Sequence, residues 1–263
     1  MKDNRIDEAR LRELLGELSD IPIYIYDVTA STNLTAIEYA RGGGVCPAVF
    51  IAEEQTAGRG RLGRSFLSPG GCGIYMSVVT RVRENTDPTA ITTYAACVIS
   101  DAIEHKTGLS PLIKWVNDLC LGGKKLAGIL TQGVVDPDSA SVTHAVMGVG
   151  INVLGDAPEG VRDIATTLEA EGALSPDRTA LIAEIIKEYI TGLDAVGTRR
   201  LADSYRRRSC LIGRAVNVIT PMGTYPATVV GITDEAKLEL ILEDGARELL
   251  STGEVSVREI KTG

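Results

Sequence analysis

Apolar and polar positions along this chain follow two different periods. Residues 7–18, DEARLRELLGEL, put their apolar side chains on one helical face and predict a helix. A strand-like run, IYIYDV, follows at 23–28, and a helix is expected over 34–41. AVFIAE at 48–53 and GIYMSVV at 73–79 read as strands, short apolar runs bounded by turn residues. Asp87 followed by Pro88 opens a helix that runs to about Lys106, where Gly108 is placed to end it. Its apolar interior predicts packing on a sheet. In IKWVNDLCLGGKKLAGILTQ, 113–132, two strand-like runs flank Gly122-Gly123, a two-residue hairpin signal. A turn at 136–139, a strand at 144–153 and a loop over 155–176 come next, then helices over 177–196 and 198–208. From Gly213 the texture changes to five short β runs, AVNVI, TYPATVVGI, KLELIL, RELLS and EVSVREI, which read as a small barrel. The expected class is α+β: a mixed β-sheet domain with helices packed on it, residues 1–210, and a small barrel, residues 211–263.

The stretch from Glu53 to Gly71 stands apart from this patterning. Gly58, Gly60 and Gly63 alternate with Arg59, Arg61 and Arg64. Glycine lets the backbone approach a ligand closely, and arginine presents a fixed fork of donors to carboxylate or phosphate oxygens. The expectation is a flexible cationic loop that folds over an anion. Gly58-x-Gly60-x-x-Gly63 also matches the dinucleotide fingerprint, but that motif needs a helix directly after it, and Pro69 with two glycines arrives instead. A solvated, unstructured loop is the plainer reading by composition; the flanking apolar strands count against it.

Two further places carry candidate chemistry. Ser31-Thr32-Asn33 is a helix N-cap signal, and its hydroxyls, amide and free N–H groups also make a polar corner suited to binding. If Gly122-Gly123 is the whole turn, Cys120 faces Lys125, with Asp118 diagonal on the same face and Asn117 and Lys124 on the other. An amine and a carboxylate then lie within reach of each other, while Lys114 sits beside the lone tryptophan, Trp115.

Composition narrows the classes. The 263 residues are 44% hydrophobic and 24% charged, ordinary for a globular chain. A net charge of −8 argues against general nucleic-acid or anionic-membrane binding. No apolar run reaches membrane-spanning length, and the first residues are too polar for a signal peptide, so a cytoplasmic location is expected. Five scattered cysteines without a C-x-x-C pair favour reduced thiols and argue against zinc. With two histidines and no G-x-S-x-G, histidine-based nucleophilic catalysis is not expected. His105 near a helix end and Arg206-Arg207-Arg208 at another suit the helix dipole.

Four separated blocks resemble one family, the biotin protein ligases: STN at 31–33, EEQTAGRGRLGRSFLSPGG at 53–71, KWVNDLCLGGKKLAGIL at 114–130 and GVGINV at 148–153. The likeness covers nearly the whole chain, and the last β runs resemble the family's SH3-like cap. The resemblance implies a two-step ligase. Biotin is activated by Mg2+-ATP to biotinoyl-5′-AMP, then passed to a lysine of a biotin carboxyl carrier domain. By the same resemblance Ser31, Thr32, Asn33, Gln55, Arg59, Gly60, Arg61, Lys125 and Gly128 bind biotin. Arg61, Arg64, Phe66, Asn117, Lys125, Asn152 and Arg258 bind the nucleotide. Lys125, Arg61 and Asp118 serve the chemistry, with Asp118 near the metal. A homodimer is compatible with the family; no nucleic acid and no membrane are expected as partners. About thirty residues precede Ser31, too few for the winged helix of the bifunctional repressor-ligases. Phe66 stands where the family carries tryptophan, Val116 where it carries proline, and 164–168 lacks an aromatic that some members place over adenine. The neighbouring lipoate or octanoate ligases carry an RR-x-SGGG pattern that is absent here. A non-catalytic biotin-responsive regulator is the alternative from another class, and the retained Lys125 and arginines speak against it.

Overall fold

The computed structural model describes residues 5–82, 86–136, 141–251 and 253–257. Seven strands form one sheet: β1 (Ile23–Thr29), β2 (Ala48–Gln55), β3 (Gly73–Arg81), β4 (Leu112–Lys114), β5 (Asp118–Leu121), β6 (Lys124–Val135) and β7 (Val142–Asn152). Their order is β1-β2-β3-β7-β6-β5-β4. β1 and β2 run parallel and every other pairing is antiparallel, so the sheet is mixed.

Helices cover both faces. α1 (Glu8–Leu15), α3 (Pro88–Thr107), α4 (Arg178–Thr191) and α5 (Arg199–Arg208) belong to the larger core, and α2 (Thr32–Arg41) packs on the other face. The helix signals hold at their starts: Asp7, Asp87 and Asp177 each accept a backbone N–H of their own first turn. Gly108 takes the left-handed conformation that ends α3, as the sequence suggests.

The alternation on β7 decides where a cavity can form. Ala145, Met147, Val149 and Ile151 enter the larger core, while Val146 packs on the α2 side. Successive side chains alternate, so Gly148 and Gly150 share that α2 side with Val146. Gly150 faces Gly128 of β6, and Gly148 faces Leu130. The missing side chains leave a shallow floor beside the start of α2.

One expectation changes. The run from Ile113 to Leu121 is two short strands, not one. β4 turns at Trp115–Asn117 and pairs back on β5, Lys114 opposite Asp118. Trp115 is buried and its Nε1 donates to the Ala236 carbonyl at 2.7 Å, while Tyr205 Oη donates to the Val116 carbonyl at 3.0 Å. Burying this segment from both sides folds it out of the extended form.

The last five strands are β8 (Ala215–Thr220), β9 (Gly223–Ile232), β10 (Leu238–Leu242), β11 (Arg247–Leu250) and β12 (Glu254–Val257). They form an antiparallel sheet in the order β11-β10-β9-β8-β12, with no β11–β12 pairing among the described residues. Val216, Val229, Leu238 and Leu240 of this sheet join the larger core. Of the turn expected at 136–139, residues 137–139 lie outside the described residues.

Candidate functional site

The glycine–arginine stretch is ordered. Gln55 bridges to Ser68 and Arg59 to Ser65, and Phe66 N–H donates to the Gly58 carbonyl at 2.9 Å. A side chain at Gly58 would come within 2.4 Å of the Phe66 carbonyl, so this close approach requires glycine. The loop therefore folds as an irregular hairpin rather than as a solvated coil. Its tip is a short 3-10 turn over Arg61–Gly63.

Beneath the loop lies a cavity of about 120 Å³. It gathers Ser31, Thr32, Asn33, Gln55, Arg59, Gly60, Arg61, Arg64, Phe66, Asn117, Asp118, Lys125 and Gly128, every expected biotin-site residue among them. A larger cavity of about 550 Å³ adjoins it, and Asn152 lines that one. Arg64, Phe66, Asp118 and Lys125 line both, so they stand at the junction. Arg258 lies outside the described residues.

The polar corner at the start of α2 is a network rather than a simple cap. Ser31 occupies the N-cap position but makes no side-chain cap bond. Gln55 does that work: its Oε1 accepts the Thr32 N–H at 2.9 Å. Asn33 Nδ2 donates to the Leu130 carbonyl at 3.1 Å and to Gln132 Oε1 at 3.0 Å. Ser77 Oγ lies 2.6 Å from Asn33 Oδ1 and 2.8 Å from Thr32 Oγ1. A side chain at Gly148 would overlap Asn33, and one at Gly150 would come within 2.4 Å of the Phe66 ring. The glycine floor thus seats both residues.

At the other end, Lys125 pairs opposite Cys120 in the expected register, and its Nζ stands 2.7 Å from Asp118 Oδ1. The ladder shifts between Leu119 and Cys120, so that Asp118 pairs with Gly128. Asn117 departs from expectation. It sits in the β4–β5 turn, accepts from Arg61 Nη1 at 3.0 Å and donates to Asp118 Oδ1 at 3.1 Å. It therefore joins Asp118 and Lys125, whereas Lys124 Nζ donates away, to the Arg162 carbonyl. The reason is the turn, which rotates Asn117 out of the strand alternation.

Among the described residues four cations, Arg59, Arg61, Arg64 and Lys125, face the first cavity with two carboxylates, Asp118 and Glu254. The excess suits an anionic ligand. Burial pushes the Cys120 thiol up to about 12, with Cys210 and Asp118 adding to it, so it remains a neutral thiol beside Lys125. Three contributors escaped the sequence reading. Ser77, fully buried, is a small polar residue inside the apolar run 73–79, a faint signal. Gln132 follows the KK block by seven residues without a motif of its own. Glu254 of β12 pairs with Arg64, 190 residues away, and no local pattern announces it.

A mixed sheet carrying a glycine floor, a cationic loop and a lysine held by an aspartate suits a protein that binds an anionic ligand. The family model described as the Biotin/lipoate A/B protein ligase family matches residues 45–152, and that of the Biotin protein ligase C terminal domain matches 211–258. The biotin–[acetyl-CoA-carboxylase] ligase of Mycobacterium tuberculosis is 34% identical, covering 95% of this chain and 95% of that protein. The bifunctional ligase/repressor BirA of Bacillus subtilis is 32% identical over 95% of this chain and 79% of its own length. The solved biotin protein ligase from Aquifex aeolicus, in complex with biotin and ATP, superposes with a TM-score of 0.76 at 25% identity, covering 90% of this chain and 99% of that one. This chain belongs to the biotin protein ligase family.

Proposed function

We propose that this ligase joins biotin to the AMP part of ATP, releasing pyrophosphate, and then passes biotin to one lysine of a biotin carboxyl carrier domain. The observation that carries the reading is the cluster of Arg59, Arg61 and Lys125 around a cavity whose far end is the Thr32–Asn33–Gln55 network. Apolar and glycine surfaces accept the ring system and chain, and the polar network reads the ureido end. The carboxylate end then lies toward Lys125.

In the first step a biotin carboxylate oxygen bonds to the α-phosphorus of ATP and the α–β anhydride bond breaks, releasing pyrophosphate. Carboxylate and triphosphate repel each other. Fixed cations lower that barrier, because their charge is already oriented where charge develops. Lys125 meets the carboxylate and α-phosphate oxygens, and Asp118 keeps its ammonium aimed there. Arg61 and Arg64 hold phosphate oxygens, Phe66 stacks on a ring, and Asn117, Asn152 and Arg258 complete the nucleotide side. In the second step a lysine amine of the carrier attacks the acyl carbonyl and AMP leaves. No protein nucleophile is needed, so positioning supplies most of the rate. A closed loop keeps water from the adenylate.

Among the described residues no three His, Cys, Asp or Glu side chains converge as a protein-only metal cage would need. Mg2+ is commonly held by one or two carboxylates together with substrate phosphates, and Asp118 at the cavity junction fits that mode. The ion would neutralise part of the triphosphate charge.

We read residues 1–210 as the catalytic domain and 211–263 as an SH3-like barrel whose open ladder is described above. No described helix is long and apolar enough to cross a membrane; we place the enzyme in the cytoplasm. The test is mass spectrometry of a purified carrier domain after incubation with the protein, biotin and Mg2+-ATP. One biotin on a single carrier lysine is expected; an unmodified carrier contradicts the proposal.

A further inference from the structure

β2 and β3 pair as far as Ala52 and Tyr75, and there their ladder ends. Just beyond, the side chain of Arg178 lies between the parting strands. Its Nη1 donates to the Gly73 carbonyl at 2.9 Å and its Nη2 to Glu53 Oε2 at 2.9 Å. The two charged side chains are 2% and 10% exposed. Glu53 Oε1 accepts the Ile6 N–H at 2.7 Å, tying in the segment before α1.

Glu53 and Gly73 belong to the two stems of the glycine–arginine loop. Past them the chain segments bridge again inside the loop, at Gln55–Ser68 and Arg59–Ser65. On its other side Gly73 pairs with Asn152, which lines the larger cavity. Tyr75 Oη donates to the Pro69 carbonyl at 2.9 Å, so the stem position is passed into the loop. Arg178 itself is the first residue of α4, fixed by the Asp177 cap.

A buried ion pair adds little net stability over well-packed apolar side chains, so its presence here points to geometry. A guanidinium presents a rigid planar fork to two acceptors, which an ammonium on a flexible stem does not. We propose that Arg178 is a positioning residue. It sets where β2 and β3 part and thereby holds the glycine–arginine loop over the cavity, touching no substrate. The effect of this role on adenylate retention rests on the ligase reading.

Limited trypsin digestion reads loop order directly, because the loop carries Arg59, Arg61 and Arg64. Two variants of the full chain serve. Arg178→Lys keeps the charge opposite Glu53 but loses the fork. The double variant Glu53→Met/Arg178→Met replaces the pair by apolar chains, a change that usually preserves folding. Cleavage after residues 59, 61 or 64 is expected to rise about tenfold in each folded variant, since cutting follows the population of the open form, while cutting elsewhere stays at the parent rate. A folded variant cut in the loop at the parent rate overturns the proposal. If the double variant does not fold, Arg178→Lys decides alone. Release of biotinoyl-AMP is measured in parallel. Faster loop cutting with unchanged release leaves the positioning role standing and removes the loop from adenylate retention.

Discussion

Lys125 Nζ and Asp118 Oδ1 stand 2.7 Å apart across the β5–β6 hairpin, at the junction of two cavities. Both are partly exposed, at 38% and 25% of their side-chain surface, so the pair is open to a ligand rather than locked in the core. An exposed pair of this kind contributes little stability. Its use is to aim an ammonium.

Lys125→Ala is therefore expected to cut the rate of adenylate formation about a hundredfold, roughly 3 kcal/mol of transition-state stabilisation, with the melting temperature nearly unchanged. Lys124→Ala is the internal control, because Lys124 points to the Arg162 carbonyl. Single-turnover kinetics compare them. Activity of Lys125→Ala within a factor of two of the parent would sink the assignment.

Arg61 separates making the intermediate from keeping it. Its Nη1 donates to Asn117 Oδ1 at 3.0 Å. A desolvated contact to a phosphoryl group contributes roughly 1.5–3 kcal/mol, and its loss shows mainly in the off-rate. Arg61→Gly is expected to release biotinoyl-AMP about ten- to a hundredfold faster and to biotinylate bystander lysines. Biotin incorporated into albumin measures it. A variant that makes adenylate at near-normal rate yet labels albumin no more than the parent contradicts the role.

The glycine floor gives a steric test. Alanine at 150 would put a methyl 2.4 Å from the Phe66 ring and force the ring aside. Overpacking of this kind costs roughly 1–3 kcal/mol. Gly150→Ala is expected to raise KM for ATP about tenfold or more with a smaller change for biotin. The Gly150→Ala/Phe66→Ala double variant should fall well short of the sum of the two single effects, because the clash and the ring vanish together. Additive effects would remove Phe66 from the nucleotide site.

Much of this site was legible because its chemistry is local in sequence. The two-glycine turn put Lys125 within reach of Asp118 by spacing, and the family resemblance placed them with the glycine–arginine loop in one site. The same holds for α3, whose Asp-Pro start and glycine stop are backbone rules. What was not legible depends on distant chain. Trp115 is drawn inward by a carbonyl at 236, and this breaks an apparent strand and swings Asn117 toward Arg61. Ser31 looked like a cap by composition, yet Gln55 caps the helix from another strand. Arg178 lies in the stretch read as a helix, 177–196, with no signal of its own; only the parting of β2 and β3 gives it a task.

The central claim is that the cavity activates biotin with ATP. Pyrophosphate release tests it most directly, with purified protein, Mg2+-ATP and one carboxylic acid at a time. Release that requires biotin and does not occur with octanoate is the predicted result. Release driven by octanoate, or none with biotin, would contradict the account.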